Sequence, residues 1–435
     1  MTTRWLALAL ILGGCSTIDS LLGDNKLPVS GKREAIAVVR RGLEIDVTDR
    51  SPVIVPPPTA MQDSPQVGGT PAHAGGHAAL AGFTPAWRSG VGDSGGYRDK
   101  IMATPVVAGG RVFTMDADAT VDAFDLETGA RIWRTGTQDD EDRSTNLGGG
   151  VAVDAGVVYV TTGRADVLAL DATTGAVRWR KSLGSPARSA PTVSGGRVFA
   201  TTIDSKLVAL TARTGEREWQ YQGKEAATTL LGQGAPAVSD GIVLAGFGSG
   251  ELVAVREESG AMVWSDSLAS SRGKNSIVDL SAVRGLPVVS QGRVYAVGAG
   301  GLLLAIDLRT GRRLWEREVG GTQTPWLAGD WLFVQTIDQT LAAIRASDGR
   351  VRWVRDLPAY ENEEKKRDVI FWTGPVLAGG KLILAGSNEQ VVSVAPDTGK
   401  IIGVDGLRGP ATVPPVAAAG TLLILTEDAT LQAYR

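Results

Sequence analysis

Residues Thr104–Thr135 read TPVVAGGRVFTMDADATVDAFDLETGARIWRT. A proline leads a short apolar run, Gly109-Gly110 breaks it, and two segments come next in which apolar and polar residues alternate. A Thr-Gly pair then breaks the chain again before a last segment carrying Trp133. Alternation with a period of two, bounded by Gly and Asp turns, predicts four short antiparallel strands. The pattern returns as VAVDAGVVYVTTGRADVLALDATTGAVRW to Trp179, then in further copies ending at Trp219, Trp264, Trp315 and Trp353. A seventh copy keeps its turn at Thr398-Gly399 but has Gly403 where the tryptophan stands in the others.

The spacings from one tryptophan to the next are 46, 40, 45, 51 and 38 residues, then 50 to Gly403. Four strands per repeat of roughly 40–50 residues predict an all-β fold built of propeller blades, not a helical solenoid. The final segment, PPVAAAGTLLILTEDATLQAYR, supplies three strands and stops at Arg435. The missing fourth strand is expected from Phe83–Ser89 (FTPAWRS), with Trp87 in the repeat's setting. An N-terminal strand would thus close an eight-bladed ring and remove an open sheet edge. The seven tryptophans, Trp87 included, are expected to wedge between blades. The glycine after Thr, Ser or Asp is expected at a turn position with positive φ. Asp125, Asp171 and Asp307 recur before that turn and are read as turn caps.

The charge balance is near neutral, with 44 Lys and Arg against 47 Asp and Glu. No basic stripe is interleaved with aromatics, which argues against nucleic-acid binding. The single cysteine, Cys15, excludes an intrachain disulfide and a cysteine-based metal site. Residues 1–14 have one charge at Arg4, an apolar run from Trp5 to Leu12 and two glycines. The run is too short for a membrane-spanning helix and reads as a secretory signal. Residues 15–60, ending in Pro56-Pro57-Pro58, read as a flexible tether, with Ala35–Val47 able to form a strand or lie on the ring. The propeller domain is expected over 61–435.

Catalytic constellations are not assembled. The only histidines, His73 and His77, share the Gly-rich stretch QVGGTPAHAGGH, so no Ser-His-Asp or Cys-His set forms. Four glycines and a proline there argue against a helix that would aim both rings at a metal, so loop hydrogen bonding is the reading and no metal is expected. No GxxxxGK[ST] phosphate loop occurs. Three insertions, Gln138–Asn146, Ser267–Gly285 and Tyr360–Asp368, read as solvated loops, and the second mixes apolar with charged residues as an interface would.

Endings such as AFDLETGARIW and AIDLRTGRRLW resemble the propeller repeat of pyrroloquinoline-quinone enzymes. Leu12-Gly13-Gly14-Cys15 resembles the bacterial lipobox. Taken with the QVGGTPAH segment and all eight blades, the chain resembles the BamB family, lipoprotein subunits of the outer-membrane β-barrel assembly (BAM) machinery. That resemblance implies lipid on Cys15, and Ser16 after it implies transport to the outer membrane. It implies a non-catalytic periplasmic scaffold without cofactor, binding the POTRA domains of BamA, alongside the other BAM subunits and nascent barrel proteins. It places the BamA contacts in Thr229–Gln233 and Ile277–Arg284, with Leu230 and Leu231 as apolar anchors and Asp279 and Arg284 as charge partners. The alternatives are a quinone- and Ca²⁺-dependent dehydrogenase, for which a second cysteine and a substrate cap are missing, and a glycan-binding propeller, for which no aromatic platform is evident.

Overall fold

The computed structural model describes residues 42–49, 51–96, 100–138, 145–226, 232, 234–269 and 282–435. Among these, eight four-stranded antiparallel sheets and one two-stranded hairpin form. Blades 1 to 4 span Val106–Thr135, Gly149–Ser182, Thr192–Gln222 and Ala237–Ser267. Blades 5 to 7 span Val288–Arg317, Trp326–Asp356 and Trp372–Gly406. Blade 8 takes three strands from Val416–Tyr434 and its outer strand from Pro85–Gly90, which pairs with Thr430–Tyr434. The expected ring closure by an N-terminal strand is therefore present. First strands of neighbouring blades touch one another around the axis, while the second and third strands carry the buried Val, Leu, Ile and Phe.

The tryptophans join each blade to the next. Each indole N–H donates to a carbonyl just before the next blade's turn, from Trp87 to Leu126 through Trp353 to Pro396, at 2.8–3.1 Å. The same ring lies on the glycine of that turn: a Cβ on Gly129, Gly175, Gly215, Gly260, Gly311, Gly349 or Gly399 would stand 2.5–2.7 Å from it. These glycines have φ of 66–76°, so the position excludes a side chain both by backbone conformation and by contact. Within blades 1, 2, 3, 5 and 6 the tryptophan also packs on a Phe or Tyr of the second strand, ring centroids 5.8–6.2 Å apart. Trp133, Trp264 and Trp353 are buried and the other four half-buried.

The neighbouring blade explains Gly403. An indole there would point toward blade 8, whose third strand ends at the C-terminus, so no Thr-Gly turn exists to receive it. Phe83 stacks on Tyr434 at the seam, with centroids 4.0 Å apart and planes 11° off parallel. Thr84 and Arg435 exchange backbone hydrogen bonds there. The Arg435 guanidinium also donates to Leu126 O, the carbonyl that takes the Trp87 indole, so the last residue is tied to blade 1.

The turn aspartates act as expected. Asp125, Asp171 and Asp307 accept from the backbone N–H of Thr128, Thr174 and Thr310 at 2.8–2.9 Å. Hydrogen bonds from Thr128 and Thr310 hold Asp125 and Asp307 below the ordinary carboxylate range, and the Arg178 guanidinium is the main cause at Asp171.

Two boundaries differ from the expectation. The ring-bound chain begins well before residue 61: Leu43 and Val53 are buried in blade cores, Ile45 bridges Val351, and Asp49 pairs with Arg345. Buried Leu43 and Val53, with the Ser51 carbonyl taking the Arg352 guanidinium, hold residues 42–49 and 51–56 against blade 6. Tyr360–Asp368 is a hairpin, Tyr360–Asn362 against Arg367–Val369, not an open loop. Its charged side chains remain exposed.

A matched pair of glycines in blade 1 tests the inter-blade contact. Gly129 and Gly110 share a φ of 72°, but only Gly129 faces a ring, that of Trp87. Gly110→Ala should cost about 1–2 kcal/mol from backbone conformation alone. Gly129→Ala should add an overpacking cost, for about 3–4 kcal/mol in total, read by urea unfolding. Equal losses would refute the wedge.

Candidate functional site

The Gly-rich stretch read as a loop makes one circuit of the propeller axis and touches every blade in order. Met61 O accepts from Ala419 N of blade 8, and Ser64 exchanges backbone bonds with Val107 of blade 1. Pro65 O accepts from Val153 N of blade 2. The buried Gln66 amide takes both backbone groups of Val193 in blade 3, each at 2.9 Å. Pro71 O and Ala72 O accept from Val238 N and Val289 N of blades 4 and 5, both at 2.8 Å. Gly76 O accepts from the Trp326 indole of blade 6. His77 Nε2 accepts from Gly380 N, and Ala78 bonds Leu377 and Gly379, all in blade 7. Leu80 then bridges Gly420, back in blade 8. Thr59 pairs with Ala78, closing the loop on itself.

Sequence composition explains why this stretch suits the task. A circuit this tight needs left-handed residues, and Gly68, Gly69, His73 and Gly76 supply them. Gly75 lies under Trp326, where a Cβ would stand 2.4 Å from the ring. Both histidines serve hydrogen bonding, as the loop reading expected. His77 Nδ1 bonds Pro56 O, and His73 Nδ1 bonds Pro287 O at 2.8 Å. Since a carbonyl only accepts, His73 carries its proton on Nδ1, leaving Nε2 as a buried acceptor without a partner. Burial lowers the His73 pKa to about 4, against the raising effect of the Pro287 carbonyl.

All these contacts fall next to the turns between the first and second strands, so the circuit floors the hub from one face. Above it lies a cavity of about 350 Å³. Its other walls come from the lead-ins to the first strands, such as Ala103, Ala190, Leu286 and Pro414. Three cations line it: Lys100, Arg188 and Arg284. Lys100 pairs with Glu427, and Arg188 donates to Leu147 O. Burial lowers the pKa of both arginines, more of Arg284 than of Arg188 lying out of water. Among the described lining residues there is no Asp or Glu.

A family model described as "Outer membrane protein assembly factor BamB" matches residues 117–355, more than half of the chain. The chain belongs to the BamB family. Proteins of that name are 29% identical in Yersinia pestis over 249 residues and 29% identical in Escherichia coli K12 over 204. The matched stretches take 57% and 47% of this chain and 61% and 50% of those relatives, so it spans half to three-fifths of their length. The crystal structure of BamB from Moraxella catarrhalis superposes with a TM-score of 0.68 at 20% identity, covering 81% of this chain and all of that one. A quinohemoprotein alcohol dehydrogenase from Comamonas testosteroni superposes at 0.65 with 13% identity, over 86% of this chain and 80% of its own. At these identities the superpositions speak for the propeller alone.

The hub does not fit the dehydrogenase chemistry. Ca²⁺ takes six to eight oxygens, chiefly carboxylates, whereas the described hub lining has no carboxylate and offers cations, apolar groups and neutral Ser, Thr and Gln side chains. No group of three His, Cys, Asp or Glu side chains converges elsewhere among the described residues.

Of the residues the family resemblance singled out, Cys15, Leu230, Leu231 and Asp279 lie outside the described residues. Arg284 is described, and it turns into the hub cavity beside Gly232, whose Cβ would stand 3.2 Å from Arg284 Nε. It is half-buried at the cavity wall. The circuit itself carried no sequence signal beyond its glycines, because it is built almost wholly from backbone bonds to distant blades.

His73 gives the circuit a pH signature. Unfolded, the ring titrates near 6.5; folded, near 4, so the unfolded state binds more protons between those values and stability falls as pH drops through that window. Between pH 7 and 4.5 the wild type should lose about 2–3 kcal/mol more than His73→Gln, measured by urea unfolding at both pH values. A parallel loss in the two proteins would refute the buried neutral ring.

Proposed function

We propose that this protein is a non-catalytic scaffold of the outer-membrane β-barrel assembly machinery. Lipid on Cys15 holds it at the periplasmic face of the outer membrane after removal of residues 1–14, and it binds the POTRA domains of BamA. Family membership across residues 117–355 carries the reading, since that span contains both connections assigned to the contact, the one between blades 3 and 4 and the one between blades 4 and 5. The hub's lack of carboxylate ligands among its described residues supports a scaffold over a quinone enzyme.

A closed ring suits this role. Its blades are locked to one another, and such a rigid body is a suitable carrier for binding loops. Leu230 and Leu231 are the apolar anchors, and Asp279 is the charge that orients the partner. The outer strand of blade 7, Ile401–Gly406, offers a second contact by strand addition. It has neither the tryptophan nor the Arg and Lys of most other outer strands, and Ile402 and Val404 are about half exposed.

Replacing Leu230, Leu231 and Asp279 together by alanine should abolish co-purification with BamA from solubilised outer membranes. The thermal midpoint should stay within about 2 °C of wild type, as for surface substitutions. Retention of BamA by the triple variant would refute these contacts. Labelled palmitate should enter the wild type and not Cys15→Ser; equal labelling would refute the anchor.

A further inference from the structure

The hub cavity is a site of definite chemistry that the scaffold role leaves unused. It is closed on one face by the circuit of residues 59–80 and bounded on the other by the lead-ins to the first strands. Most of its wall is apolar, including Trp326, Leu286 and Val413. Two guanidinium groups, Arg188 and Arg284, line it with no carboxylate partner among the described residues, and the third cation, Lys100, is already neutralised by Glu427. Cations withdrawn from water without a counter-charge are costly to keep. A bound anion removes that cost, and a carboxylate matches the guanidinium fork.

His73 lies in the floor, 3% exposed, with Nδ1 on Pro287 O and Nε2 shut off from the cavity. A volume of about 350 Å³ is that of a small ligand pocket.

We propose that the hub binds a carboxylate joined to an apolar group, with Arg188 and Arg284 holding the carboxylate. A phosphate would also attract the two guanidinium groups. Its heavier hydration fits poorly between walls of Leu, Val and Trp, and the carboxylate is favoured for that reason. The chemistry is shared by free aromatic or aliphatic acids and by the C-terminal residue of a polypeptide.

The test is calorimetric titration of the purified full-length chain with N-acetyl-L-phenylalanine and, in parallel, with its neutral amide. The acid should bind and the amide should bind at least tenfold more weakly. Arg188→Gln and Arg284→Gln should each weaken the acid tenfold or more, as loss of a charged hydrogen bond does. Their thermal midpoints are compared with wild type, and should a variant fail to fold, the acid–amide pair decides alone. A hexapeptide ending in free Phe that binds as tightly as the small acid supports the site and makes chain ends its ligand. A hexapeptide that fails where the small acid binds supports it for free acids. Equal binding of acid and amide, no binding of the acid up to about 10 mM, or tighter binding of phenyl phosphate would overturn the proposal. None of these readouts involves BamA, so the scaffold reading stands or falls separately.

Discussion

Every blade depends on the contact between an indole and the bare backbone of the next blade's turn. A β-sheet of four short strands has two faces to cover, and radial stacking covers both only if successive blades keep a fixed spacing. The tryptophan sets that spacing with bulk and fixes its register through one directional hydrogen bond, from Nε1 to a single carbonyl. The glycine beneath it admits the ring, and in three of the seven turns an aspartate (Asp125, Asp171 or Asp307) shapes the turn that presents the glycine. Residues far apart in the chain thus act as one joint between each pair of blades. The joint accounts for the repeat in the sequence better than the strands do, since strands tolerate many apolar residues and the joint tolerates one set.

A ring made of such joints has one place where the rule cannot hold. Blade 8 is the one blade built from two distant parts of the chain, its fourth strand drawn from Pro85–Gly90. The turn that would have received a tryptophan from blade 7 is cut, and Gly403 stands in the empty role. At that junction Phe83 and Tyr434 stack within one apolar cluster that holds Val376, Ile383 and Val391 of blade 7 and Leu422 and Ile424 of blade 8. The circuit of residues 59–80 reinforces the closure from the axis, tying all eight blades to one segment.

That circuit also decides what the hub can be. By flooring the central channel it makes a blind cavity, and its own His73 and Gln66 supply polar groups to the floor. Quinone enzymes of the same architecture share the ring, but a ring does not specify chemistry. The side chains at the axis do, and here those described are cationic, apolar or neutral polar, without a carboxylate.

The sequence by itself determined the blade count, the seam at Phe83–Ser89, the turn aspartates and the role of the tryptophans, because each rests on a local pattern repeated at a legible period. It also carried the family resemblance, since that resemblance lies in the same repeats. Only the tertiary structure decided the course of residues 42–80, the inward turn of Arg284 and the existence of the cavity. These depend on groups meeting across hundreds of residues, as the Gly379 N–H meets Ala78 O and the Trp326 indole meets Gly76 O. A carbonyl or an N–H is identical at every position, so a stretch held by its backbone leaves no mark in its side chains except the glycines that let it bend.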